Sequence, residues 1–305
     1  PGVDFPRDAD PTDQAAAKPG ERHMANLHGR TRTVEEQRAH VRKEARVGEG
    51  QSEEHLPPKL RSEFLTMLEE RTGTFSDNPG LSKVGQLEIP TGDARPVARK
   101  AYRNPLVANE GFMNQLNQWE EAGIIRRSKS SWAAPVLLVP KKGDQWRTVI
   151  DFRGLNRHIP PERNPVPLIS TVLDTVGRGQ FFTTLDLTSG YYQLRVKEED
   201  KHKTAFTTPF GLYEFNRCPQ GISNAVPTFQ RTMEKMLRDF LGVSVLVYLD
   251  DIIIYSPSFE QHTKDVEEVL RCVEDSGMKL RLSKCRFACA EVEYLCHIIS
   301  SEGVR

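Results

Sequence analysis

Two aspartates stand side by side in an otherwise apolar run, "VSVLVYLDDIIIYS" from Val243 to Ser256. Asp250 and Asp251 repel each other and resist removal from water, so apolar flanks suit neither of them. The run reads as two short strands turning at the aspartates. Favoured two-residue turns pair Asp or Asn with Gly, because both central positions take positive φ, so shape alone is a weak reason for Asp-Asp. A divalent cation would remove both difficulties. Mg²⁺ takes hard oxygen ligands and is commonly held by one or two carboxylates plus substrate phosphates. Successive strand side chains point to opposite faces, so a tight turn is needed to bring both carboxylates to one side. A third carboxylate would complete a two-metal site, and Asp186, ending the β-rich stretch "QFFTTLDL", is the candidate. Strand-end acids are common in any protein, so the plain turn reading stays open beside the metal reading.

The elements that must position these acids can be read from periodicity. Leu60, Phe64, Leu65 and Leu68 make one helical face, and Phe112, Leu116 and Trp119 another, opened by Asn109 and closed by Gly123. Phe229, Met233, Met236, Leu237 and Phe240 line a third helix that stops at Gly242; this stripe is core packing. Val266, Val269, Leu270 and Val273 line a fourth, which stops at Gly277. There Asp275-Ser276-Gly277 spells the aspartic-protease triplet, but its place at a helix end makes it a cap. "APVLLVPKKGDQWRTVIDF" reads as a hairpin with basic residues at a Gly143-Asp144 turn, and "VEYLCHIIS" as a strand or half a hairpin. Strands and helices interleave without a βαβ rhythm and no glycine-rich nucleotide loop follows a strand, so the expected class is α+β.

Composition narrows the partners. Lysine plus arginine and aspartate plus glutamate both total 42, so net charge alone implies no polyanion. From Gly123 to Arg163, however, nine basic residues (Arg126, Arg127, Lys129, Lys141, Lys142, Arg147, Arg153, Arg157, Arg163) meet three acidic ones, the footprint of a surface that faces phosphates or of a solvated basic face. No apolar run approaches the ~20 residues that cross a bilayer, and no signal peptide is visible. Five cysteines without a C-x-x-C pair imply free thiols in a reducing compartment, so the expected setting is intracellular and cytoplasmic, without a membrane. Cys285, Cys289, Cys296 and His297 match no common zinc spacing. Residues 1–55 are polar and nearly free of aromatics and read as a linker or tail, followed by an N-terminal helix and connecting segment over 56–99. A chain from Pro1 to Arg305 suggests a piece of a longer polypeptide.

With these residues in view, a family resemblance becomes plain. "TTLDLTSGYYQLRVKEEDKHKTAFTTPFGLYEFNRCPQG", "NAVPTFQRTM" and "YLDDIIIYS" resemble successive blocks of the reverse transcriptases of gypsy-type LTR retrotransposons, relatives of the retroviral enzymes. Upstream, "AGIIRRSKSSWAAPVLLVPKKGDQWRTVIDFRGLN" resembles their fingers region, and the likeness runs from about Phe75 to Arg305. It implies a right-hand polymerase fold over 100–305, with fingers at about 100–161 and 194–224, palm at about 162–193 and 225–305, and room only for the start of a thumb.

The implied activity is RNA-directed DNA polymerase, with two Mg²⁺ ions (Mn²⁺ as substitute), deoxynucleoside triphosphates and a primed RNA or DNA template. By resemblance Asp186 and Asp250 bridge the metals, the Leu187 carbonyl adds a ligand, and Asp251 completes the primer-side ion. Lys142, or Lys141, and Arg147 would hold the triphosphate; Ser189 and Gly190 would lend backbone amides. Tyr191 would be the aromatic gate that leaves no room for a ribose 2′-hydroxyl, and Gln220 would contact the nucleotide, as in the retroviral pattern and unlike the usual gypsy-type Phe. Leu295, Cys296 and His297 fall on the primer grip, with Cys296 where the family usually has glycine. A rival is a catalytically decayed, retroelement-derived nucleic-acid-binding protein; Cys296 speaks for it, the intact carboxylates and Tyr191 against it. An RNA-dependent RNA polymerase is the enzymatic alternative, and Tyr191 opposes that.

Overall fold

The computed structural model describes residues 33–49, 55–102, 109–141, 145–162 and 179–305. In chain order its first elements are α1 (Val34–Glu44), β1 (Arg46–Val47), α2 (Pro58–Glu70), β2 (Gln86–Leu87) and α3 (Asn109–Glu121). Then come β3 (Ile125–Arg127), β4 (Ala134–Lys141), β5 (Gln145–Ile150), a single helical turn α4 (Arg153–Asn156), β6 (Phe181–Asp186) and β7 (Arg195–Val196). After β8 (Phe206–Thr208), β9 (Gly211–Phe215) and α5 (Ala225–Met236) lie the strands β10 (Val245–Tyr248) and β11 (Asp251–Ser256). The chain closes with α6 (Phe259–Asp275), β12 (Arg286–Cys289), β13 (Glu291–Tyr294), β14 (His297–Ser300) and β15 (Gly303–Val304).

Two five-stranded sheets carry the architecture. One has the order β3-β9-β8-β4-β5 and the other β1-β12-β6-β11-β10, so both aspartate-bearing strands lie inside the second. The strands are grouped by sheet and not wound as βαβ units, which is the α+β arrangement expected from the sequence. Helices α5 and α6 bury Phe229, Met233, Val266, Val269, Leu270 and Val273 against the second sheet's side of the core. The third helix ends six residues before Gly242, at Met236; Leu237 to Leu241 continue as turns, with the Phe240 carbonyl collecting three backbone N–H groups. At the end of α6, Ser276 is the C-cap, Gly277 has φ +77° and its carbonyl accepts from Leu81, so the D-S-G triplet is a helix end, as the sequence indicates.

The segment read as a tail is partly folded. Residues 33–49 form α1 and β1, against the expectation for 1–55. The reason is local: Thr33 and Glu36 make a reciprocal capping box, Val41 and Val47 are buried, and β1 pairs in parallel with β12 at the sheet edge. Averaged over 55 residues of polar sequence, two buried valines do not show.

The catalytic-looking hairpin also departs from its expected register. Tyr248 pairs with Asp251, so the turn consists of Leu249 and Asp250, and Asp251 is the first residue of β11. Leu249 sits at φ +55°, a left-handed conformation in which a branched side chain is strained. The C-terminal run is a full hairpin, β13-β14, extended by β15. Its turn residues, Leu295 and Cys296, have φ +52° and +63°, the two positive values of a type I′ turn built without glycine.

A buried polar chain locks β6, β11 and β12 to α6. Ser256 Oγ lies 2.6 Å from Asp265 Oδ2, and its single proton must go to that carboxylate. His262 Nδ1, 3.0 Å away, therefore donates to Ser256, and Nε2 accepts from Thr183 Oγ1 at 2.7 Å. Thr183 Oγ1 in turn accepts the Ala288 N–H. This arrangement requires a neutral ring, and burial pushes the His262 imidazole down to about 3. Below the ordinary histidine value the unfolded chain binds a proton that the folded chain refuses, so stability falls as pH drops from ~6.5 toward ~3. Between pH 7 and pH 5 in urea unfolding, the native chain is expected to lose about 2 kcal/mol more than His262→Gln, whose glutamine does not titrate. Equal losses would contradict the neutral-histidine arrangement. At the I′ turn, Cys296→Gly is expected to raise stability by roughly 1 kcal/mol in the same measurement, by relieving positive φ.

Candidate active site

The register of β6 against β11 sets Asp186 directly opposite Asp251. Opposed residues of antiparallel strands project to the same face, so two carboxylates meet at one sheet end, and the Leu249–Asp250 turn adds a third beside them. The electrostatics record the crowding. Asp250 is pushed up to about 6, first because the surrounding protein withdraws water from it, then because Asp251 and Asp186 repel its charge; Lys284 opposes the shift. Asp251 is raised for the same reasons, desolvation first and Asp186 second. Lys284 Nζ lies 3.2 Å from Asp186 Oδ2 and supplies the compensating charge that this edge would otherwise lack. Among the described residues no three His, Cys, Asp or Glu side chains form a cluster of single-ion size. The donor set is hard oxygen throughout, the chemistry that a divalent cation such as Mg²⁺ takes.

An open cleft of about 270 Å³ adjoins this edge, and Asp186, Leu187, Ser189, Gly190, Tyr191, Gln220 and Asp250 all line it. Seven residues singled out in the sequence thus meet in one place. Ser189 enters the loop in a left-handed conformation, φ +50°, and opens the 3₁₀ turn Gly190–Gln193. A Cβ on Gly190 would stand 3.0 Å from Phe229 Cζ and 3.1 Å from Asp250 Oδ1, so any side chain here would press on the ring or on the acid. Tyr191 rests on Phe229 of α5 with ring centroids 4.9 Å apart, which immobilises its ring at the cleft wall. Burial, then the charge of Asp250, pushes the Tyr191 hydroxyl up to about 12.

A second cleft of about 200 Å³ shares Tyr192 and Gln220 with the first and is lined by Arg147, an exposed residue of β5. Lys142 and the Gly143-Asp144 turn lie outside the described residues, as does the side chain of Lys141. The basic excess counted along 123–163 is smaller in space than in sequence. Arg126 pairs with Glu214 at 2.7 Å and Glu198 at 2.8 Å, Arg153 pairs with Asp151 at 2.7 Å, and Arg127 covers the Tyr213 ring at 4.3 Å. Glu214 and Glu198, from other segments, compensate Arg126, while Asp151 belongs to the stripe itself; among the described residues Arg147 is the member placed at the cleft.

Leu295, Cys296 and His297 do not line the cleft; they form the I′ turn of the last hairpin. The link to the acids is Tyr294, whose hydroxyl donates to the Asp251 carbonyl at 3.3 Å. Sequence reasoning missed three contributors. Tyr192, Arg281 and Lys284 line the cleft, and Arg281 is tied in by its N–H to the Asp186 carbonyl at 2.9 Å. The i, i+3 spacing of Arg281 and Lys284 in "RLSK" was the available signal.

The reverse transcriptase (RNA-dependent DNA polymerase) family model matches residues 139–299. The Pol polyprotein of the Drosophila melanogaster transposon gypsy is 38% identical over 259 residues, covering 82% of this chain and 25% of that protein. The polyprotein of transposon 297 from the same species is 42% identical over 215 residues, covering 69% and 20%. The Schizosaccharomyces pombe transposon Tf2-3 polyprotein is 37% identical over 246 residues, covering 81% and 18%. The chain thus spans a quarter or less of these curated relatives. Among solved structures, foamy viral protease-reverse transcriptase in complex with an RNA/DNA hybrid superposes with TM-score 0.77 at 21% identity, over 90% of this chain and 36% of that one. The prototype foamy virus protease-reverse transcriptase gives TM-score 0.73 at 25% identity, over 87% and 34%. These neighbours share the right-hand polymerase fold. With the family model covering more than half of its length and these relatives beside it, the chain belongs to the reverse transcriptase family, in its gypsy-type LTR-retrotransposon group.

Proposed function

We propose that this chain carries the nucleotidyl-transfer site of an RNA-directed DNA polymerase that extends a primer on an RNA or DNA template with deoxynucleoside triphosphates. The observation that supports it best is the convergence of Asp186, Asp250, Tyr191 and Gln220 on one cleft, with Asp251 paired across the strand from Asp186. In this reading Asp186 and Asp250 hold two Mg²⁺ ions, or Mn²⁺, aided by the Leu187 carbonyl and, on the primer side, Asp251. Bound there, the ions would neutralise the triphosphate and make the primer 3′-oxygen a better nucleophile. The chain's own residues do the rest. Tyr191, backed by Phe229, forms a rigid floor under the sugar of the incoming nucleotide. Ser189 and Gly190 bring backbone close to it, Gln220 borders it, and Arg147 approaches from the adjoining cleft with a fork suited to phosphate oxygens. Arg281 and Lys284 add positive charge to the same wall. Lys142 or Lys141 would join Arg147 on the triphosphate. The turn Leu295–Cys296–His297 would bear on the primer strand, and Tyr294 would connect its position to Asp251. Five free cysteines favour an intracellular, reducing setting.

The foamy viral neighbours bound to double-stranded DNA and to an RNA/DNA hybrid support nucleic acid as the partner class. Primer extension checks the reading directly. Asp250→Asn, isosteric and uncharged, is expected to slow dNTP incorporation by at least about a thousandfold with the fold retained by circular dichroism. Unchanged synthesis would remove the metal assignment. Tyr191→Ala is expected to relax discrimination against ribonucleotides by roughly 10- to 100-fold, read as the ratio of kcat/KM for dNTP and rNTP. An unaltered ratio would take the gate away from Tyr191.

A further inference from the structure

The hairpin that presents Asp250 and Asp251 is strained at one residue, and one buried side chain meets it there. Leu249 holds φ +55°, a conformation that favours glycine. Its N–H points out of the hairpin ladder and donates to Oε1 of Gln230 at 2.8 Å. Gln230 lies on α5, is 1% exposed, and uses its other end as well. Nε2 donates to the Val247 carbonyl at 3.3 Å and to Glu234 Oε1 at 2.9 Å. Glu234 and the Val247 carbonyl can only accept and the Leu249 N–H can only donate, so the amide has a single orientation. One neutral side chain therefore grips the strand before the turn and the turn itself, within two residues of both acids.

Resting on the polymerase reading above, we propose that Gln230 is a positioning residue that holds the Leu249–Asp250 turn in its left-handed form, and so sets where the two carboxylates stand. The amide contributes two things that an apolar side chain of equal size cannot. It satisfies a half-buried N–H that the turn geometry removes from the ladder, and it compensates the torsional strain of a branched residue at positive φ. Without it the turn would relax toward negative φ at Leu249, rotating the peptide that precedes Asp250. Phe229, the preceding residue on α5, backs Tyr191, so the same helix sets the gate and the acids.

The consequence is a specific coupling between Gln230 and Leu249. In Gln230→Met, which keeps the volume and loses the hydrogen bonds, the extension rate is expected to fall about 30- to 100-fold, while the KM for dNTP changes less than about threefold. Leu249→Gly tolerates positive φ without a brace, so in the double variant at least about a fivefold part of the lost rate returns. Amide hydrogen exchange over 245–252, measured without metal or substrate, is expected to quicken about tenfold or more in Gln230→Met. Additive losses in the double variant, or unchanged exchange in Gln230→Met, would overturn the bracing role. If the native chain fails to extend a primer, the polymerase reading falls, and the exchange comparison still decides the brace.

Discussion

The structure depends on a repulsion. Register puts Asp186 opposite Asp251, and a one-residue slip between β6 and β11 would move one of them to the other face of the sheet. Two carboxylates facing each other at a strand end work against pairing, and the Leu249–Asp250 turn adds a third. Asp250 and Asp251 are both raised, first by loss of water and then by that repulsion. The flanks must therefore hold the register from elsewhere, and they do so with apolar mass. Ile252, Ile253 and Ile254 of β11 are all fully buried, as are Phe182 and Leu185 of β6 or nearly so. Burying each such side chain is worth roughly 1.5–3 kcal/mol, enough together to outweigh like-charge repulsion at a partly solvated edge.

This explains why an acid pair occurs in so apolar a run. The isoleucines are the mount and the aspartates are its working end. The same logic reaches the last hairpin. Val292, Tyr294 and Ile299 pack with Phe182, Ile253 and Tyr255 in a small second core, so the hairpin that carries Leu295–His297 rests on the back of the strands bearing the acids. A shift of that hairpin would be transmitted through Tyr294 to the Asp251 carbonyl, not through open solvent.

Much of this was legible beforehand, and the exceptions have definite causes. Helices α2, α3 and α6 and the β4-β5 hairpin follow their apolar periods, because packing faces are written in side-chain type. The three candidate carboxylates stand out in the sequence because acids among apolar residues conflict with local physics, whereas Ser189, Gly190, Tyr191 and Gln220 were singled out only by the family resemblance. The turn was misplaced by one residue because Asp suits turns and Leu does not; here hydrogen bonding from α5 overrides local preference at Leu249. α1 was hidden because a capping box and two valines are a small signal in a polar segment. Lys284 and Arg281 were missed, and the basic stripe overcounted, for one reason. Whether a charge is compensated depends on partners such as Glu214, Glu198 and Asp186 that are remote in sequence.

The parts that hold the acid edge in place are nearly all neutral. Gln193, with no exposed surface, donates to the carbonyls of Thr188 and Lys279 and accepts the Lys279 N–H, stitching the loop after Asp186 to the segment that follows α6. Thr183, His262 and Ser256 tie β6 and β11 to α6 through a ring kept uncharged by burial. Gln230 grips the turn. Charged braces could make stronger hydrogen bonds, but each would add its own field to an edge that already carries three carboxylates. A buried cation beside Asp250 would lower its affinity for a proton and occupy its oxygens; a buried anion would raise the repulsion further. Amides, hydroxyls and a neutral ring fix geometry near the edge, where the field is left to the three carboxylates and to Lys284; the one carboxylate in the bracing chain, Asp265, binds Ser256 at the opposite end of β11. Separating rigidity from charge in this way lets a repulsive edge be precisely placed while its carboxylates remain open to a cation.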